Sequence, residues 1–367
     1  MQFIKADTDR TCMRLGGIEA FAVADGMIWG ALVSLNALVR IPMDTWKVQF
    51  IAEFPEENSD GFRLFGGAVY YREKLIFCPM RAQNIVVYDI AQKSFLSIPL
   101  DMELVRNNKV YKKNYKTEDV VLYNDFAYIV GCSYPAIIRI SLQDMSVKYI
   151  TEPFKELDKR IVDYSNGYFD CVTRQNNDLY AGCCLSGDIL KFSLEDETYE
   201  IISTDFKGIN AVIETKDKLL LTSLTDHKGY EVKNGGNYCR HVENLNDVLI
   251  VKTIFDMKSV YLFCFKCGEK KKLLRYDLIK DKVEAVADIE EGFYNAVKFG
   301  NRIFAAFLTS GKIIEINMEK GTIEEHVLTY SGTILRWLMK EKKVVVIEKE
   351  KNELKKYLEW IAQMGEI

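Results

Sequence analysis

Leu64 to Leu100 reads LFGGAVYYREKLIFCPMRAQNIVVYDIAQKSFLSIPL. It divides into four runs rich in Val, Ile, Tyr and Phe: GAVYYR, LIFCP, IVVYDI and SFLSIPL. Between them lie polar turns at Glu73-Lys74, Met80 to Asn84 and Ala91 to Lys93. Short apolar runs broken by turn residues describe a four-stranded antiparallel meander. One such sheet cannot bury both of its faces. Repeated around an axis, it becomes one blade of a β-propeller.

The same pattern recurs along the chain. First hairpins turn at Asp25-Gly26, Glu73-Lys74, Asn124-Asp125, Asn176 to Asp178, Asp217-Lys218, Met257-Lys258, Gly300-Asn301 and Glu341-Lys342. Their spacing of roughly 40 to 53 residues lies in the range of propeller repeats. The first seven are each followed by a second hairpin, of which His227 to Val242 has the poorest pattern.

The expected fold is therefore all-β, a β-propeller of four-stranded antiparallel blades forming a single domain over residues 1–367. Eight blades are favoured, and seven is the next count. Residues 16–331 supply seven blades and 332–350 begin a final one. Residues 1–15 hold short strands that would complete that last blade, so that both termini close the ring and remove exposed edges. At 352–364, Leu354, Tyr357, Leu358 and Ile361 recur at helical spacing and predict a short C-terminal helix.

Composition narrows the class. The 367 residues are 48% hydrophobic and 28% charged, with 49 Lys and Arg against 53 Asp and Glu. Interspersed charge of this kind disfavours a dedicated nucleic-acid binder. No run of about 18 apolar residues exists to cross a membrane. Nine cysteines fit no secreted disulfide framework, which points to the cytoplasm.

The second hairpins resemble kelch-type repeats through Tyr88-Asp89 and Tyr276-Asp277, each followed by an apolar residue several positions on. The kelch double glycine is absent; FCPM, VGCS and AGCC stand in its place. The segments Leu64 to Pro79, Tyr134 to Arg139 and Cys183 to Glu195 are similar to a group of bacterial kelch-like propellers. That resemblance implies the fold and transfers no catalytic residues.

No catalytic constellation stands out. Cys264 and Cys267 form a C-x-x-C pair without the further ligands a zinc site needs. The three histidines, His227, His241 and His326, have no nucleophile elbow near them, and there is no phosphate-binding glycine motif. No metal or cofactor is expected. His326 reads as an exposed residue of an outer strand.

Two features suggest recognition. Asp101 to Lys116 and Glu152 to Gly167 are long connections, and in a propeller they share a face with the loops between second and third strands. The first carries Arg106, Lys109, Lys112 and Lys113 interleaved with Tyr111 and Tyr115, a pattern suited to anionic or polar ligands. The short loops add Arg81, Asn84, Tyr134 and Asp188. The expected function is a non-catalytic binding or scaffolding module whose loop-rich face holds a protein or a polar ligand such as a glycan. The alternative is a propeller enzyme, a hydrolase or lyase acting on a sugar or peptide conjugate.

Overall fold

The computed structural model describes residues 3–5, 12–14, 17–58, 61–233, 238–267, 272–308, 310–330 and 345–346. Seven four-stranded antiparallel sheets follow one another in chain order. Their innermost strands are Ile18–Ala24, Phe65–Tyr71, Thr117–Tyr123, Phe169–Gln175, Ile209–Glu214, Val248–Asp256 and Phe293–Phe299. The weakly patterned hairpin of the fifth blade forms, as Gly229–Lys233 and Tyr238–Val242.

The blades are made by turns that suit twisted hairpins. Asp25 and Gly26 both have positive φ (49° and 73°), as do Arg72 and Glu73 (43° and 65°). Paired left-handed residues match the right-handed twist of the strands they join. The second of these turns lies one residue earlier than the sequence suggests.

The core is divided among the spaces between blades. In blade 2, Leu75, Phe77, Val86 and Tyr88 pack toward blade 1, while Ile76, Cys78, Ile85 and Val87 pack toward blade 3. A strand buried on both faces must be apolar at consecutive positions, which is why LIFC and IVVY read as unbroken runs. Each such side chain removed from water contributes about 1.5–3 kcal/mol. No blade retains these contacts alone.

The ring closes with seven blades. Phe304, Ala306 and Ile313 of blade 7 share a cluster with Ile18, Phe21 and Val39 of blade 1, leaving no place for another blade. After its last blade the chain runs on to blade 1. Thr329–Tyr330 pairs in parallel with the outermost strand Lys47–Ala52, as Thr329↔Lys47 and Tyr330↔Val48. Trp46 stacks on His326 with ring centroids 3.7 Å apart, so His326 is half-buried at this clasp rather than exposed.

The termini do meet, but in a sheet of their own: Phe3–Lys5 pairs with Cys12–Arg14 and with Val345–Val346. The expected C-terminal helix at 352–364 lies outside the described residues. Among the described residues no helix is long and apolar enough to cross a membrane.

Both long connections carry short helices that the strand pattern does not reveal. Met102–Val105 is a single 3-10 turn, and Glu152–Asp158 is α-helical. In the second, Pro153 sits at the helix start, where it costs no hydrogen bond, and Phe154 and Leu157 are buried against blades 3 and 4.

Two inner strands approach each other closely at Gly66. A Cβ there would lie 2.7 Å from the Glu118 carbonyl oxygen and 2.9 Å from that of Thr117. Backbone cannot yield as a flexible side chain can. Gly66→Ala is therefore expected to destabilise the protein by about 1–3 kcal/mol, read as a lower urea midpoint.

Candidate functional site

The loops of one face are fixed by a repeated backbone contact. The carbonyl just before an innermost strand accepts an N–H from the loop between second and third strands of the same blade. The pairs are Val33→Gly17, Met80→Leu64, Cys132→Lys116, Cys184→Tyr168, Leu224→Gly208 and Leu308→Gly292, at 2.7–3.1 Å. This binds the two loop classes of each blade into one layer around the axis.

Just inside that layer, the innermost strands of all seven blades shift register against their neighbours. The residues skipped include Glu19, Gly66, Glu118, Asp170, Asn210 and Tyr294. A bulge frees its extra residue from the ladder and re-aims the side chain. Here the bulges bring Glu19, Glu118, Asp170 and Tyr294 together at the mouth of the axial channel, with Arg63 from the link between blades 1 and 2 and Tyr115 from the long connection after blade 2.

Glu19 is 2% exposed and accepts both Nε and a terminal nitrogen of Arg63. Arg63 holds a left-handed backbone (φ 51°), fixed by its N–H on the Val33 carbonyl at 2.7 Å, and lies over the Tyr294 ring at 5.3 Å. Fork-to-fork pairing offsets part of the cost of burying this charge. Even so, burial raises the Glu19 carboxyl above its ordinary value against the pull of Arg63.

Arg63 cannot serve every acid. Burial pushes the Glu118 carboxyl up to about 8, with Glu19 and Asp170 adding repulsion and Arg63 opposing it. The Glu118 Oε2 is buried and accepts no hydrogen bond among the described residues. Burial also raises Asp170, beside the Cys184 thiol and the Asn166 side chain. Tyr115 is held well above the ordinary phenol range by burial and the Glu118 charge. Cys132 and Cys184 are likewise raised by burial and by Asp170, so both stay protonated and are poor nucleophiles.

A groove of about 1060 Å³ leads away from this mouth between blades 4 and 5. It is lined by Arg160, Asn166, Cys184, Ser186, Asp188 and Thr225 among others, with Val162, 90% exposed, at its rim. Asn166 and Cys184 join the groove to Asp170.

The residues singled out from the sequence have diverse fates. Asp188 lines this groove, but its carboxylate is engaged by Arg160 at 3.0 Å, Ser186 at 2.7 Å and Ser203 at 2.8 Å. Tyr134 is fully buried; its hydroxyl donates to the Asp101 carbonyl at 2.7 Å and its ring packs near Tyr149, so it braces a loop instead of facing solvent. Asn84 is buried and donates to Glu56 at 2.7 Å. Arg81 is exposed, over the Phe62 ring.

In the basic loop, Arg106 pairs with Glu103 in solvent, Lys109 lies over Tyr164, and Lys112 donates to the Tyr164 carbonyl. Tyr111 packs on the cluster between blades 2 and 3, Lys113 is exposed, and Tyr115 faces the axial acids. Of these ten residues only Tyr115 belongs to the axial cluster. Lys116, at the loop's end, is buried and donates to the Arg81 and Ala82 carbonyls. Among the described residues no group of His, Cys, Asp and Glu is arranged to hold a metal ion.

Glu118 should mark the pH dependence of stability. Its folded value of about 8 exceeds the model-compound 4.5, so the folded chain binds more protons between those values. Stability from this group is complete below about 4.5 and falls as pH rises through 8. Glu118→Gln is expected to melt alongside the native protein at acid pH and above it at pH ~9, by on the order of a few kcal/mol in calorimetry.

No family model and no curated protein matches the chain. Solved structures do. Virginiamycin B lyase from Staphylococcus aureus aligns with TM-score 0.56 and 11% identity over 83% of this chain and 95% of its own. YCF48 bound to D1 peptide aligns with TM-score 0.56 and 14% identity over 89% and 98%. BamB from Moraxella catarrhalis aligns with TM-score 0.54 and 10% identity over 85% and 90%. At these identities the likeness establishes the β-propeller fold and nothing finer.

Proposed function

We propose that this protein is a binding module that holds a segment of a protein partner on its loop-rich face. A lysine or arginine side chain of that segment enters the axial mouth between Glu118 and Asp170. The single observation that carries this reading is the mismatch there: three acids from separate blades meet one arginine, which is already spent on Glu19. A cation arriving in the mouth relieves the repulsion and favours ionised Glu118. The groove beside blade 4 offers a path for the rest of an extended segment, with Arg81, Lys109 and Lys113 as rim contacts.

Two propellers of similar fold are described with protein partners, one bound to D1 peptide and one in a mitotic checkpoint complex. A glycan is less suited to this groove, because among the described residues no aromatic ring lines it for a sugar to stack on. The kelch-like reading adds little: Tyr88 and Tyr276 are buried in inter-blade clusters, far from a ligand role. A cytoplasmic setting belongs to the same proposal and suits the free cysteines Cys78, Cys132, Cys171, Cys183, Cys184 and Cys264.

A second reading, a hydrolase or lyase, has one observation in its favour. A carboxyl that keeps its proton near neutral pH beside a second acid is the arrangement used for general-acid chemistry. One experiment separates the two. Fluorescence anisotropy would compare labelled peptides centred on Arg, Lys or norleucine, with chromatography of the same mixtures for cleavage products. The binding reading expects Arg or Lys peptides alone to bind intact, about tenfold more weakly to Glu118→Gln. Affinity should climb with pH until Glu118 ionises near 8 and level off above it. Equal binding of the norleucine peptide would sink the proposal, and product formation would favour the enzyme.

A further inference from the structure

The channel has a second mouth. Innermost strands start at the loop-rich face and end at the tight hairpins of the opposite face. A cavity of about 470 Å³ opens there, lined by the middles and ends of these strands from blades 2, 3, 4, 6 and 7. Its size falls within the range of small-molecule sites.

Its chemistry is opposite to that of the acidic mouth. Arg174, Lys252 and Lys298 all line it, with Asp119 as the lone acid in the lining. Lys252 and Asp119 form an ion pair that makes a neutral polar floor. Arg174 is tethered by the Leu122 and Asn176 carbonyls, lies over the Tyr123 ring, and has no carboxylate partner among the described residues. Lys298 donates to the Phe255 carbonyl at 3.0 Å, with Asp256 3.7 Å away. The carbonyls fix the direction of Arg174 without cancelling its charge, whereas the charge of Lys298 is partly offset by Asp256. Between the cations and the floor the wall is apolar, from Ala68, Val120, Ile254 and Ala296.

We infer that this mouth binds a small organic anion, with a carboxylate or phosphate head on Arg174 and Lys298 and an apolar body directed up the channel. The guanidinium fork suits both heads, since each presents paired oxygens. The site shares no residue with the acidic mouth and stands or falls independently of the peptide reading.

The probe is 4-iodobenzoate, with 4-iodobenzylamine as the cationic control. Calorimetric titration should give a dissociation constant of about 1 mM or tighter for the anion and no binding of the amine. Arg174→Gln and Lys298→Gln should each weaken the anion about tenfold or more. Both side chains are exposed, and cooperative melting of each variant would verify folding. In crystals soaked with the anion, the anomalous iodine signal should lie in the channel among Ala68, Val120 and Ala296. Binding unaffected by both substitutions, equal binding of the amine, or iodine located elsewhere would overturn the inference.

Discussion

Every innermost strand of this propeller is a sheet edge turned toward the axis, and an edge carries backbone groups that its own blade cannot pair. The rest of the structure depends on how those groups are satisfied. Side-chain amides answer many of them. Asn210 donates to the Ile250 carbonyl and accepts from its N–H, so one amide does for blades 5 and 6 what a strand would do. Gln175 does the same for Glu214, between blades 4 and 5. Asn295 donates to the carbonyls of Glu19 and Gly66, tying blade 7 across the closure to blades 1 and 2. Such bonds between buried groups contribute about 1 kcal/mol each, and losing one leaves its partner exposed to the full desolvation cost.

The same edges explain why chemistry gathers on the axis. A bulge in an innermost strand takes a residue out of the blade's interior and places it in the channel. Where that residue is Asn, it bridges to the next blade; where it is Glu or Asp, it becomes a desolvated acid. Glu19 found an arginine, while Glu118 and Asp170 did not. Cations stand at the other end of the strands, and the Lys252–Asp119 pair lies between. The channel is thus acidic at the loop-rich face and basic at the hairpin face. Each mouth favours a ligand of opposite charge.

Much of the fold was legible in the sequence because both faces of each blade are buried and each turn is short. Runs such as LIFC and IVVY announce the strands, and Asp25-Gly26 announces its hairpin. The count of eight failed because seven blades already close the ring; the hairpin expected at ILRWLMKEKKVVVIE lies, apart from Val345-Val346, outside the described residues, and pattern records local pairing, not the angle between blades. The site was hardly legible. Acids occur throughout the chain, and nothing local distinguishes Glu118 or Asp170. A signal exists only when repeats are superimposed: Ile18-Glu19, Thr117-Glu118, Phe169-Asp170, Ile209-Asn210 and Phe293-Tyr294 each put a polar residue second in an innermost strand. Tyr134 and Asn84 misled because a polar residue in a loop can serve the loop itself, as their hydrogen bonds to Asp101 and Glu56 demonstrate.

Glu118 keeps its proton at neutral pH because the ring desolvates it by more than Arg63 compensates. Carbon-detected NMR of protein labelled at the glutamate side-chain carboxyls measures this directly, with Glu118→Gln to assign the resonance. One carboxyl should titrate with a midpoint of about 8 and be missing from the variant. A Glu118 resonance titrating near the ordinary 4.5 would mean that the axial mouth is well solvated, and the argument for a cation-seeking site would fail.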